Sequence, residues 1–165
     1  MLDISKSSEF QKKYSLLETN VKKALKLKKN LIITGKSGTG KTYLLNQLFK
    51  FIKKTNNNIG IHQVLMFDFT HPKKIKEFEK FNLSEKKQIA IFIDEYYTYY
   101  SDKIENKIKD LLRKKDAYVI IATQDLFHIK DLLTTDMNFE IINMNSLFKN
   151  LKEEFTQKNN KNLIF

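Results

Sequence analysis

Eight residues decide the fold of this chain: Gly35-Lys36-Ser37-Gly38-Thr39-Gly40-Lys41-Thr42. Their pattern, G-x-x-x-x-G-K-T, is that of a loop whose backbone N–H groups surround phosphate. The apolar run 31–34 before the loop is typical of a buried strand, and residues 42–52 after it have the apolar spacing of a helix. Because this phosphate site needs strand, glycine loop and helix in that order, a chance octapeptide is the poorer explanation.

This loop predicts a site for ATP and Mg²⁺. The backbone of residues 35–42 is expected to enclose the phosphates, and its glycines allow the close approach. The Lys41 ammonium is expected to reach the β- and γ-phosphates, and the Thr42 hydroxyl is expected to ligate Mg²⁺. Three of the chain's four glycines fall within the loop, so glycine is concentrated at this site.

Composition limits the class of protein. The chain has 165 residues, no cysteine and no apolar run near the roughly 18 residues of a membrane span. We expect one cytoplasmic domain over residues 1–165, with no membrane segment of its own. Within it we expect an N-terminal helix in 1–29, a core in 30–144, and a C-terminal helix and tail in 145–165. The net charge of +11 favours DNA as a partner, although a lysine-rich codon bias also raises the total.

Strand and helix patterns alternate along the chain. We expect strands at 31–34, 60–69, 88–93, 118–122 and 139–144, and helices at 9–28, 42–52, 73–81, 102–115, 126–133 and 146–157. The strands 88–93 and 118–122 are apolar without alternation, which is typical of strands buried on both faces. The alternation predicts an α/β fold, a three-layer sandwich around a mainly parallel sheet of about five strands.

The strand 88–93 leads directly into Asp94 and Glu95. An aspartate at the carboxyl end of such a strand holds Mg²⁺ in P-loop proteins, and we expect this strand to lie beside the P-loop strand. Glu95 is predicted to be the general base that polarises the attacking water. The alternative is that Asp94 and Glu95 are an ordinary polar end of a strand. The phosphate-binding loop upstream, at 35–42, makes this alternative the poorer explanation.

Two further polar residues complete the candidate site. Gln124 follows the strand 118–122, where its amide is expected to contact the attacking water and the γ-phosphate and so sense hydrolysis. Arg113, the only arginine among thirty basic residues, lies near the end of the helix 102–115. It is predicted to act in trans, as a finger on the nucleotide of a neighbouring subunit. A cation placed to favour the helix dipole is the alternative.

The segment from Arg113 to Gln124 resembles part of a known family. Its arginine, apolar strand and Ala122-Thr123-Gln124 are similar to the R-x-x-G, strand, A-T-Q segment of FtsK/HerA-type P-loop motors, which include conjugative coupling, viral packaging and Zot-like ATPases. With the upstream motifs, the resemblance covers roughly residues 31–144. It implies a RecA-like core of the additional-strand catalytic-glutamate class, a homo-oligomeric ring, ATP hydrolysis at subunit interfaces, and DNA as the partner. The roles it implies are nucleotide and Mg²⁺ binding for Lys41 and Thr42, Mg²⁺ for Asp94, base for Glu95, sensor for Gln124 and finger for Arg113.

The departures from that family shape the functional prediction. Asp116 stands where the family often has glycine, and Asp125 directly follows Gln124. A small DNA packaging or transfer ATPase therefore fits better than a chromosome translocase. The alternative is an AAA+-like loader or regulator acting on a protein partner, although that class usually has its finger later in the chain. A small-molecule kinase would need several arginines to clamp phosphate, and this chain has one.

Other conspicuous residues have simpler explanations. The tyrosines at 96, 97, 99 and 100 could stack on single-stranded bases, but we favour packing. The three histidines at 62, 71 and 128 lack metal-ligand spacing. Asp68, at the end of the second predicted strand, is interpreted as a strand-end cap.

Overall fold

A five-stranded sheet is the centre of this protein in its computed structural model, which describes residues 8–83, 87–99, 101–133 and 139–145. The strands are β1 (Asn30–Thr34), β2 (Gln63–Asp68), β3 (Ile89–Asp94), β4 (Ala117–Thr123) and β5 (Phe139–Asn143). Their order across the sheet is β2-β3-β4-β1-β5, and every neighbouring pair is parallel. This confirms the predicted α/β fold with a parallel sheet of five strands.

Helices cover both faces of the sheet. They are α1 (Ser8–Lys26), α2 (Lys41–Thr55), α3 (Pro72–Lys80), α4 (Asp102–Arg113) and the short α5 (Lys130–Leu133), with 3₁₀ turns at Asn56–Ile59, Tyr96–Thr98 and Leu126–Ile129. The predicted segment 126–133 is thus a 3₁₀ turn followed by α5. The helix expected at 146–157 lies outside the described residues. In the described ranges, no helix combines the length and the apolar character needed to cross a membrane.

The sheet divides the core into two apolar layers. On one face, α1 and α2 contribute Val21, Leu25, Leu48 and other residues to a cluster that includes alternate residues of the central strands. On the other face, α3, α4 and α5 pack against the intervening strand residues. All residues of β3 and β4 are buried, which confirms the expectation drawn from their continuous apolar runs.

The order of the strands corrects one expectation. The strand that carries Asp94 was predicted to lie beside the P-loop strand, but β4 lies between β3 and β1 and pairs with both. All seven residues of β4 are buried, which suits a central position in the sheet. Gln124 therefore follows the strand that lies between the P-loop and Asp94.

The second strand is shorter than the predicted 60–69. Gly60 has φ 72°, a left-handed conformation that ends the preceding 3₁₀ turn, and its N–H donates to the Asn56 carbonyl. The extended strand begins only at Gln63. The helix predicted at 42–52 is longer than expected, because α2 runs from Lys41 to Thr55.

Candidate nucleotide-binding site

The P-loop joins β1 to α2 at the carboxyl edge of the sheet, and its glycines have conformations that other residues rarely adopt. Gly38 and Gly40 have φ of 78° and 83°, in the left-handed region. Gly35 is constrained by space, because a Cβ there would lie 2.7 Å from Thr39 Oγ1 and 2.9 Å from Met144 Cβ. The loop therefore requires glycine for backbone conformation at two positions and for close packing at a third.

Hydrogen bonds inside the loop hold its functional groups in place. Lys41 is only 4 % exposed, and its Nζ donates to the Lys36 carbonyl at 3.0 Å. The Thr39 hydroxyl donates to the same carbonyl at 2.8 Å. The Lys36 N–H donates to Asn145 Oδ1 at 2.8 Å. The Lys41 ammonium thus lies against the loop backbone, where the sequence motif predicts a phosphate ligand.

Sequence reasoning missed Asn145. This residue follows β5, which pairs with β1, so its side chain reaches the P-loop from the neighbouring strand. The signal that could have identified it is strand order: a polar residue just after a strand that flanks β1 must lie near the loop.

Asp94 and Thr42 are brought together at the end of β3. The Thr42 hydroxyl donates a hydrogen bond to the buried Asp94 carboxylate, and the Glu95 N–H donates to the same group at 2.9 Å. Burial raises the pKa of Asp94, the negative charges of Glu95 and Asp68 add to the rise, and the two hydrogen bonds oppose it.

A hydroxyl and a carboxylate are oxygen donors of the kind that Mg²⁺ prefers, and Mg²⁺ commonly binds through one or two such groups plus phosphate oxygens. The described residues contain no cluster of three or more His, Cys, Asp or Glu side chains that could hold a metal on their own. The donor set at Asp94 and Thr42 therefore fits Mg²⁺ that is shared with a nucleotide.

Glu95 has an unusual environment. Its backbone is left-handed, with φ 55° and ψ 40°, which is uncommon for a residue other than glycine. Its Oε2 atom is buried and has no hydrogen-bond partner in the described part of the chain. Backbone strain and an unsatisfied carboxylate oxygen both cost stability, and such features cluster at functional sites.

Tyr97 links Glu95 to Gln124. The Tyr97 hydroxyl donates to the Glu95 carboxylate, and this bond, with partial burial, raises the pKa of Tyr97. Gln124 Nε2 donates to the Tyr97 oxygen. The predicted base and the predicted sensor are therefore joined through one phenol, whereas the neighbouring Tyr96 packs in the core at 1 % exposure. Sequence reasoning treated Tyr97 only as one of four similar tyrosines.

Asp68 lies beside this cluster. Its Cα pairs in register with that of Asp94 on the neighbouring strand. The side chain accepts hydrogen bonds from the Thr70 N–H and hydroxyl at 2.9 and 2.6 Å, and His71 Nδ1 lies 3.0 Å away. Burial raises the pKa of Asp68, but these Thr70 and His71 contacts lower it by more, so the net change is downward. The Thr70 contacts fit the interpretation of Asp68 as a strand-end cap, and the register with Asp94 also brings it near the candidate site.

Arg113 is not part of this cluster. It is the last residue of α4 and precedes β4 by four positions, so it lies toward the amino edge of the sheet, opposite the P-loop. Its side chain is 64 % exposed, and Nη1 lies 3.7 Å from Asp110 Oδ1. The P-loop, Asp94, Glu95 and Gln124 thus converge on one edge of a single chain, and Arg113 does not.

The comparisons with known proteins agree with this geometry. A family model described as an AAA domain matches residues 27–137. Among solved structures, the Aeropyrum pernix ORC1 protein in complex with DNA has a TM-score of 0.59 at 12 % identity, over 83 % of this chain and 48 % of that one. Drosophila ORC bound to AT-rich DNA and Cdc6 has a TM-score of 0.58 at 12 % identity, over 83 % and 56 %. No curated protein matches the sequence.

A third similar structure is the Thermotoga maritima RuvB Holliday junction branch migration motor, with a TM-score of 0.50 and 14 % identity over 83 % of this chain and 44 % of that chain. The chain thus spans about half the length of these structures, and the likeness concerns the fold. The P-loop ATPase part of the family resemblance is supported, and its FtsK/HerA part stays a prediction. The family match covers most of the described core, and the chain belongs to the AAA domain family.

Proposed function

We propose that this chain binds ATP with Mg²⁺ and hydrolyses it at the carboxyl edge of the sheet. The observation that carries the proposal is the placement of Glu95, a strained carboxylate with a buried, unpartnered oxygen, directly after the Mg²⁺-type donor Asp94. A carboxylate that only stabilised the fold would be expected to have its oxygens paired. One with a free oxygen beside a phosphate loop is suited to accept a proton from water.

Each residue of the site has a defined task in this proposal. The backbone N–H groups of residues 35–42 and the Lys41 ammonium bind the phosphates, and Thr42 and Asp94 hold the metal. Bound Mg²⁺ would neutralise phosphate charge as it shifts during transfer. Glu95 orients and deprotonates water, and Gln124, through Tyr97, couples the state of the γ-phosphate to the position of Glu95.

We further propose that the protein acts on DNA as a homo-oligomer, as a small translocation, packaging or transfer ATPase of the FtsK/HerA type. The net charge of +11 supports a polyanionic partner, and the similar ORC structures are described as bound to DNA. Arg113 is exposed and remote from the site of its own chain, so a contribution to ATP hydrolysis requires a neighbouring subunit. A finger in trans satisfies that requirement.

A second candidate is an ATP-dependent loader or regulator that acts on a protein partner. The match to an AAA domain over residues 27–137 favours it, because such a loader or regulator is AAA+-like. The two candidates differ in their response to DNA. DNA that stimulates hydrolysis supports the motor, and a rate that is indifferent to DNA at low salt, where backbone contacts are strongest, supports the regulator.

The experiment is an ATPase assay with and without single- and double-stranded DNA. Arg113→Ala and Lys41→Ala are each expected to be inactive alone. Mixed in equal amounts they should regain activity, because about a quarter of random interfaces then join an intact P-loop to an intact finger. Normal hydrolysis by Arg113→Ala alone, or no recovery on mixing, removes the finger assignment. Absence of Mg²⁺-dependent hydrolysis in the unsubstituted protein removes the ATPase proposal.

A further inference from the structure

Nearly all of the net positive charge lies in one part of the chain. Residues 8–55 contain twelve lysines and two glutamates, a net charge of +10 out of +11 for the whole sequence. This part forms α1, β1 and α2, and both helices cover the same face of the sheet. The opposite face is formed from the rest of the chain, where positive and negative charges nearly cancel. The charge is therefore a patch, which is the electrostatic mark of nucleic-acid binding.

Six residues in the C-terminal halves of α1 and α2 define what we call the lysine face: Lys22, Lys23, Lys26, Lys50, Lys53 and Lys54. Contacts between the helices bring them together. The ammonium groups of Lys22 and Lys26 lie 5.1 and 5.7 Å from the ring centroid of Phe51 on α2. Lys53 lies 5.8 Å from the ring centroid of Phe49. The Phe51 ring thus holds the charges of Lys22 and Lys26 against α2.

Ion pairing differs between the two faces. On the α3 and α4 face, four basic side chains have carboxylate partners: Lys74 with Glu77, Lys103 with Glu79, Lys109 with Glu105, and Arg113 with Asp110. On the lysine face, the described residues provide one such pair, Lys22 with Glu18 at 2.6 Å. α2 contains no acidic residue. The helix dipole stabilises lysines near a helix C-terminus. It does not explain why carboxylates accompany the basic residues of α3 and α4 but are scarce on the lysine face.

We propose that the lysine face binds the phosphate backbone of duplex DNA. Two adjacent helices present a fixed array of ammonium groups, and duplex DNA presents a regular array of negative charges. An anionic membrane is the other polyanion to consider. Membrane-surface helices insert an apolar face, but the apolar residues of α1 and α2 are mostly buried in the core, with Leu16 and Tyr43 as the large exposed exceptions. This inference rests on the DNA partner of the proposed function and adds the surface that contacts it.

Counterion release gives the expected effect. Each neutralised phosphate contributes about −0.9 to the slope of log affinity against log salt, which is roughly eightfold in affinity at 0.1 M salt. Replacing three lysines of the face should therefore weaken duplex binding roughly 500-fold and reduce the slope by about 3. Substitutions at such exposed positions usually change the free energy of unfolding by less than about 0.5 kcal/mol.

The test uses the full chain and a fluorescein-labelled duplex of arbitrary sequence, with binding followed by anisotropy across a salt series. The variant is Lys26→Gln, Lys50→Gln and Lys54→Gln combined. The matched control is Lys73→Gln, Lys76→Gln and Lys80→Gln combined, which removes the same charge from α3 on the opposite face. A third variant, Lys26→Arg, Lys50→Arg and Lys54→Arg combined, keeps the charge and should bind like the unsubstituted protein. Thermal unfolding confirms that each variant is folded.

The inference is supported if only the lysine-face glutamine variant loses affinity and salt slope. Equal losses in the α3 control, retained binding in the lysine-face variant, or binding to phosphatidylserine vesicles without binding to duplex each overturn it. ATP hydrolysis without DNA, measured on the same samples, separates the two proposals. Hydrolysis without duplex binding ends the DNA inference and leaves the ATPase. Duplex binding through the lysine face without hydrolysis supports the DNA inference and ends the ATPase proposal.

Discussion

Replacing Glu95 by glutamine should abolish ATP hydrolysis and at the same time stabilise the fold. The Glu95 Oε2 atom is buried without a partner, and the negative charge of Glu95 contributes to the raised pKa of Asp94. Glutamine has nearly the same shape but no charge. It therefore removes a desolvated charge and its repulsion with Asp94 without leaving a cavity.

The size of the effect follows from the contacts of this side chain. Glutamine still places a polar atom where Oε2 lies, so the gain is limited to removing the negative charge and its repulsion with Asp94, about 2 kcal/mol. Against the gain, the Tyr97 hydroxyl loses a charged acceptor and keeps a neutral one, which costs about 1 kcal/mol. The net gain is on the order of 1 kcal/mol, or about 2–4 °C in melting temperature for a domain of this size. The loss of a general base should lower kcat by about 10²–10⁴-fold.

Thermal unfolding without nucleotide, together with an ATPase assay, measures both effects. Glu77→Gln is the matched control, because Glu77 is exposed and its Oε2 accepts from Lys74 Nζ at 2.6 Å. The same chemical change should give no stabilisation there. The reasoning is refuted if Glu95→Gln melts no higher than the unsubstituted protein, or if it hydrolyses ATP at an undiminished rate.

Three further predictions concern the same edge of the sheet. Tyr97→Phe removes the hydroxyl that joins Glu95 to Gln124, and it should lower kcat about tenfold while leaving the Kd for ATP unchanged. A changed Kd with a normal kcat would contradict the positioning role of Tyr97. Because burial raises the pKa of Asp94, this carboxyl keeps its proton to a higher pH than an ordinary aspartate does, and Mg²⁺ must displace that proton. Stabilisation by Mg²⁺-ATP, measured as the rise in melting temperature, should be full above the raised pKa of Asp94 and be lost as the pH falls through it. Asp94→Asn should remove this dependence on pH. Gly35→Ala places a Cβ 2.7 Å from Thr39 Oγ1 and 2.9 Å from Met144 Cβ, so it should destabilise the chain by about 1–3 kcal/mol and weaken ATP binding in calorimetry.

The sequence predicted those features that depend on local pattern. The octapeptide 35–42 has its conformation because of its own glycines. The uninterrupted apolar runs of β3 and β4 predict that these strands are buried. The order of the strands does not follow from local pattern. It depends on contacts between segments that are far apart in the sequence, and in this chain β4, rather than β3, lies beside β1. The role of Asn145 depends on that order and could not be inferred without it.

Tyr97 illustrates a different limit of sequence reasoning. Tyr96 and Tyr97 are adjacent and chemically identical, yet one is buried in the core and the other bridges Glu95 and Gln124. The difference arises from the left-handed backbone at Glu95, which turns the chain into the short 3₁₀ helix Tyr96–Thr98. No propensity marks a glutamate for that conformation, so the division of roles between the two tyrosines appears only in three dimensions.

The costs concentrated at this edge explain why a nucleotide would stabilise the chain. A buried ammonium at Lys41, a buried carboxylate at Asp94 and a strained backbone at Glu95 are features that folding alone disfavours. The two apolar layers on either side of the sheet offset them. Mg²⁺-ATP would bring a polyanion to Lys41 and a cation to Asp94, so each buried charge would gain an opposite charge. The same buried charges would therefore give the ligand its affinity and make the fold less stable without it. A substitution that removes one of these charges should stabilise the fold and weaken ligand binding.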